Sequence, residues 1–97
     1  MREKKRYIAL HIMGNASRET LITAMEHAIM DFLGTKGAAE AGVRILADTY
    51  TGRGIVLRCN HRQVHGVKAA LALMDHPVLK TCRVSGIIAK AKTCIGG

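Results

Sequence analysis

Residues 7–13 alternate. Ile8, Leu10 and Ile12 fall on one side and Tyr7, Ala9 and His11 on the other, which is the period of a half-buried strand. Gly14-Asn15-Ala16-Ser17 reads as a turn, with Ser17 placed as a helix N-cap whose hydroxyl accepts an orphan amide. Leu21, Met25, Ala28, Ile29 and Phe32 then recur at helical spacing through Leu33, and Gly34 and Gly37 are expected to stop that helix. Residues 37–42 are small and flexible, at most one irregular turn. Residues 43–50 read as a second strand, with Val43, Ile45 and Ala47 alternating against Arg44 and Asp48. Thr51-Gly52-Arg53-Gly54 is a hairpin turn, its glycines able to supply positive φ, and residues 55–59 form a third strand. Val64, Val67, Leu71 and Met74 mark a second helix over residues 61–74, broken by His76-Pro77. Residues 78–89, rich in β-branched side chains, predict a fourth strand, kinked or ended near Ser85-Gly86. Residues 90–97 are left as a short basic tail that frays.

The order is β-α-β-β-α-β. Two split βαβ units of this kind give an α+β domain with a four-stranded antiparallel sheet and two helices on one face, the ferredoxin-like arrangement that the RNA-recognition motif shares. One domain spans residues 1–97, with an ordered core over about residues 5–92. If Ile8, Leu10, Ile12, Val43, Ile45, Ile55 and Leu57 face the helices, the open face carries Lys5, Tyr7, His11, Arg44, Val56 and Arg58. That face must meet water, RNA or a protein.

Charge narrows the choice. The 97 residues hold 15 Lys+Arg against 7 Asp+Glu, a net +8. A small domain so charged repels itself and suits a polyanion, nucleic acid first and an anionic membrane second. No stretch approaches the roughly 20 apolar residues that span a bilayer, and the basic start lacks the apolar core of a signal peptide, so the expected location is cytoplasmic. Tyr7, Phe32 and Tyr50 are the entire aromatic inventory, too few for a platform of stacked bases. Three Cys at wide spacing, Cys59, Cys82 and Cys94, argue against a disulfide framework and fit a reducing compartment.

No catalytic constellation is visible. His61 and His65 are four apart and share a helix face near Cys59, but no fourth metal ligand accompanies them. Asp31, Asp48 and Asp75 are too scattered to pair. The expectation is therefore no bound cofactor or metal. Residues 53–60, Arg-Gly-Ile-Val-Leu-Arg-Cys-Asn, lie where the RNA-recognition motif places its main signature, with Ile55 and Leu57 where rings would stand. The chemistry expected is phosphate contact. Arg53 in its turn, Arg58 beside Lys5, Tyr7 and Arg44 on the open face, and the terminal cations Arg6, Lys90 and Lys92 are the candidate RNA-binding residues.

Four stretches also carry a family resemblance: Arg6-Tyr7-Ile8, Gly37-Ala38-Ala39, residues 50–59 across the hairpin, and Val84-Ser85-Gly86-Ile87-Ile88, with residues 67–73 between them. The chain resembles the protein component 2 family of ribonuclease P, small archaeal subunits with a eukaryotic counterpart. The resemblance implies a non-catalytic subunit of an endoribonuclease that removes the 5′ leader of precursor tRNA. The RNA subunit performs the chemistry with bound magnesium. The partners implied are ribonuclease P RNA, protein component 3 in a two-plus-two assembly, and precursor tRNA indirectly. Two other readings stand beside it: a ferredoxin-like protein-interaction module that binds no RNA, and a small metal enzyme using Cys59, His61 and His65.

Overall fold

The computed structural model describes residues 4–75 and 77–95. Strand β1 (Lys5–Met13) turns into helix α1 (Arg18–Ala41); β2 (Arg44–Leu46) and β3 (Gly54–Asn60) follow as a hairpin, then α2 (Val64–Ala72), β4 (Val78–Ser85) and α3 (Ile88–Thr93). The sheet is antiparallel in the order β2-β3-β1-β4. This is the expected ferredoxin-like βαββαβ arrangement with one helix added. No helix of the described residues is long and apolar enough to cross a membrane.

Periodicity located the main core. Leu21, Met25 and Ile29 of α1 and Val67, Ala70 and Leu71 of α2 pack on Ile8, Leu10, Ile12, Ile55, Leu57 and Cys59, with Val43 and Ile45 partly buried against them. Ser17 caps α1 as expected, its hydroxyl accepting the Thr20 amide at 3.3 Å. The hairpin is anchored from two sides: the Tyr50 hydroxyl donates to the Ala16 carbonyl at 2.5 Å, and the Thr51 amide donates to the Gly54 carbonyl at 3.1 Å.

Several boundaries differ from the sequence reading, each for a local reason. Gly34, with φ 75° and ψ 172°, breaks the helical backbone where the sequence reading stopped it, but a second helical segment follows directly. The helix resumes through Gly37 because Ala41 is a buried member of the core, and it closes only at Gly42, whose left-handed conformation lets its amide bond the Ala39 carbonyl at 3.2 Å. β2 is three residues long rather than eight, and a single 3-10 turn (Ala47–Thr49) replaces its second half. There the Thr49 hydroxyl takes over the ladder, accepting the Val56 amide at 2.8 Å and donating to the Leu46 carbonyl at 2.6 Å. The second helix begins as a 3-10 turn (His61–Gln63) and ends at Ala72. The expected break at His76-Pro77 lies partly outside the described residues. The fourth strand ends at Ser85, not at residue 89.

The larger correction is the C-terminus. It is not a fraying tail. α3 folds back over the face of the sheet opposite α1 and α2, and Ala91 and Ile95 form a second buried cluster with Ala9 and Val56. The open face is therefore closed over its apolar centre. The Thr51 hydroxyl donates to the Ile95 carbonyl at 3.1 Å, tying the hairpin turn to the end of this segment. Ile95 also lies over Gly54, where an added Cβ would meet the Leu10 carbonyl and come within 2.6 Å of Ile95 Cγ2. Cys82 and Cys94 are joined as a disulfide between β4 and the end of α3, with Cα atoms 6.4 Å apart. Two of the three cysteines thus pair, although their spacing argued against a disulfide framework, and Cys59 stays a free buried thiol. Spacing along the chain hid the pair because only the return of α3 brings the two residues together.

Truncating the buried anchor should expose this second core. Ile95→Ala is expected to cost about 2–4 kcal/mol of unfolding free energy in urea melts, whereas Lys90→Ala, on the exposed side of α3, should stay within about 0.5 kcal/mol.

Candidate nucleic-acid interface

Closing the centre of the sheet leaves its cations at the strand ends. β3 pairs β1 on one side and β2 on the other, and the register sets Tyr7, Arg58 and Arg44 in one row across three strands. Two arginines directly opposite each other on neighbouring strands repel. Arg58 is half-buried, and its Nε is a buried donor without a hydrogen-bond partner. An unpaired buried donor costs about 1–3 kcal/mol. An anion placed between Arg44 and Arg58 would relieve both penalties at once, and a phosphate oxygen suits a guanidinium fork. Lys5, exposed at the same end, donates to the Asn60 side chain, whose amide in turn donates to the Glu40 carbonyl at 2.7 Å. That chain holds the ammonium beside the row. Tyr7 packs its ring against the α3 cluster, so it forms a wall of the site and not a free stacking platform.

The other candidates lie elsewhere. Arg53 is exposed in its turn, and its carbonyl accepts the Ile12 amide at 2.7 Å. It therefore sits at the far end of β1 from Lys5, ~23 Å away at strand rise. Lys90 and Lys92 ride on α3. Arg6 is in register with buried Cys59 and so emerges on the helix side of the sheet. β1, β3 and β4 are neighbours, but their cations form separate groups and not one patch. His61, Arg62 and His65, of which the sequence suggested only the histidines, as a metal pair with Cys59, stand exposed beside Arg6 and line one groove with it. The i, i+4 spacing of the histidines was legible, but their basic companion from β1 was not. Cys59 does not join them: it is fully buried, and burial pushes its thiol up to about 11, opposed in part by the Lys5 charge.

A model of the Rpp14/Pop5 family matches residues 6–95, nearly the whole chain. The chain belongs to the Rpp14/Pop5 family. It is thereby placed among the protein subunits of ribonuclease P, the enzyme that the resemblance in the hairpin and flanking strands implied. No curated protein matches the chain. For a ribonuclease P subunit, cations gathered at strand ends are the groups able to hold a structured polyanion, because a backbone recognised through its phosphates needs no aromatic surface.

Two outcomes follow from the geometry. Arg58→Met should raise the stability of the free protein by about 1 kcal/mol, because it removes an unpaired donor and a like-charge pair, while weakening RNA binding; thermal melts and titrations of one sample check both. The Cys59 thiol binds its proton more tightly in the folded chain than unfolded. Its contribution is thus fully present below the usual thiol value near 9 and is lost as pH rises from there toward 11. Cys59→Ala should flatten the decline of stability over that alkaline window relative to the parent chain in parallel urea titrations.

Proposed function

We propose that this ribonuclease P subunit is the archaeal-type protein component 2, a non-catalytic chain that binds the catalytic RNA and supports removal of the 5′ leader from precursor tRNA in the cytoplasm. The observation that carries this reading is the Arg44–Arg58 row, two opposed guanidinium groups and an orphaned donor that an RNA phosphate would satisfy. In this reading the protein does not touch the scissile bond. Hydrolysis belongs to the RNA with its magnesium ions, and the chain lowers the repulsion between RNA segments by placing fixed cations among them. Lys5 and Arg58 serve one backbone segment, Arg53 a second at the far end of β1, and Lys90 and Lys92 a third along α3. Precursor tRNA is reached indirectly, through the RNA fold so stabilised.

A protein partner needs a different surface. The apolar spots that alternation leaves on the open face at Ala9, Leu46 and Val56 are taken up by α3: Ala9 and Val56 are buried with Ala91 and Ile95, and Leu46 packs against them. The groove between α1 and α2 keeps Phe32 and Leu73 exposed, 48% and 69% accessible, beside Asp31 and Asp75. Carboxylates repel RNA, so this groove suits a protein. We assign it to protein component 3, whose docking on two copies of the chain would build the two-plus-two assembly.

Reconstitution tests the reading. Ribonuclease P RNA mixed with this chain and component 3 should cleave precursor tRNA at lower magnesium than the RNA alone. The repurified chain without RNA should cleave nothing; persistent cleavage by RNA-free protein would overturn the assignment. Arg53→Ala and Arg58→Ala should each weaken binding at all sequences alike and reduce the magnitude of the log–log salt slope by roughly 0.9 per phosphate contact. A protein-interaction module indifferent to RNA would show no such slope. Leu73→Asp should abolish component 3 binding in analytical ultracentrifugation without changing the salt slope for RNA.

A further inference from the structure

The cations at the start of β1 divide between the two faces of the sheet. Lys5 and Tyr7 share the face of Arg58, whereas Arg6 alternates onto the face of Ile8, opposite Cys59. There it meets the 3-10 turn that precedes α2. Arg6, His61, Arg62, Val64, His65 and Val84 line one groove between that turn and the β1–β4 side of the sheet. Four of the six carry guanidinium or imidazole groups, and none carries a carboxylate. His61, Arg62 and His65 are exposed and take no part in the core. Clustering them costs mutual repulsion without a return in packing.

Arg6 is also positioned by shape. Its guanidinium lies across Gly86, where an added Cβ would fall 2.6 Å from Nη1. The bare backbone at the end of β4 is thus the bed on which this side chain rests. Val64 and Val84 wall the groove with apolar surface, which lowers the local dielectric and strengthens any charge-assisted hydrogen bond made between them. Two planar guanidinium groups with two imidazole donors suit the paired non-bridging oxygens of a phosphodiester.

We propose that this groove is a second RNA-backbone site, in which Arg6 and Arg62 hold one phosphodiester and His61 and His65 donate to it or to its neighbour. The proposal rests on the reading of the chain as an RNA-binding subunit and adds a site on the opposite face. RNA is favoured over an acidic peptide by continuity. Arg6 lies between Lys5 and Tyr7 in sequence, so a strand passing round the start of β1 meets the Arg44–Arg58 row on one face and this groove on the other. The arrangement clasps the end of the sheet at the start of β1.

The test is the affinity of the full chain for labelled ribonuclease P RNA across a salt series. Arg62→Ala/His65→Ala removes two exposed groups and leaves the core intact. It is expected to weaken binding and to reduce the magnitude of the salt slope by about 0.7–0.9 for each phosphate that is no longer neutralised. Arg6→Gln removes the guanidinium from the groove and should weaken binding in the same direction. Lys80→Ala removes an exposed charge on β4 paired with His11, toward the other end of β1, and should change binding less. An unchanged slope in the Arg62/His65 variant, with a lowered one in Arg44→Gln/Arg58→Met, would overturn the groove and leave the RNA reading standing. No change in either set would overturn both. Equal losses for Lys80→Ala, Arg62→Ala and Arg6→Gln would reduce the effect to bulk charge and also overturn the site. So would a groove variant that binds RNA normally but loses an acidic peptide or component 3.

Discussion

Burial of β1 and β3 on both faces is the constraint on which the rest of the molecule depends. Ile8, Ala9 and Leu10 are consecutive, and all three are at most 1% exposed; Ile55, Val56 and Leu57 repeat the pattern on the neighbouring strand. Successive side chains of a strand point to opposite faces, so such runs need a layer on each side. α1 and α2 supply one. α3, only six residues long, supplies the other through Ala91 and Ile95, and cannot form alone because so short a helix lacks the hydrogen bonds to offset its nucleation. It is held by what it covers, by the Thr51 hydroxyl and by the Cys82–Cys94 link.

That second layer limits which part of the sheet face a ligand can reach. In a sheet with an open face, RNA can lie across the central strands. Here the centre is filled, and a polyanion can reach only the periphery. The cations sit accordingly: Arg44, Arg58 and Lys5 at one end, Arg53 in the turn at the other, and Arg6 with its histidine neighbours on the helix side. The orphaned Nε of Arg58 and the opposed arginines are costs in the free protein that make sense as preorganisation for a phosphate, since the donors are aimed before the ligand arrives. The acidic, apolar groove between α1 and α2 lies on the helix side, across the sheet from the Arg44–Arg58 row.

Much of this was legible from residue order. The alternation at Tyr7–Met13 and Ile55–Cys59 and the helical stripes from Leu21 and Val67 determined the element order, the sheet and the face that packs on the helices, because local period and main-core burial are the same fact seen at two scales. Ser17 as a cap and the positive-φ turn at Gly52 followed from single-residue chemistry. The charge balance favoured a polyanionic partner, and the scarcity of aromatics argued against a platform of stacked bases.

What only the tertiary structure decided concerns residues whose partners are distant in sequence. The last turn of the chain reads as basic and small, and nothing local says that Ala91 and Ile95 meet Ala9 and Val56. The pairing of Cys82 with Cys94, the Thr49 hydroxyl that ends β2, and the bed that Gly86 makes for Arg6 are likewise contacts made by chain return. The sorting of one basic set into separate sites also depended on strand register, which places Arg58 between Arg44 and Tyr7 and turns Arg6 to the other face. A sequence specifies the period of each element. Which ends of those elements coincide in space is set by burying the apolar faces together, and the positions of the charges follow from that packing.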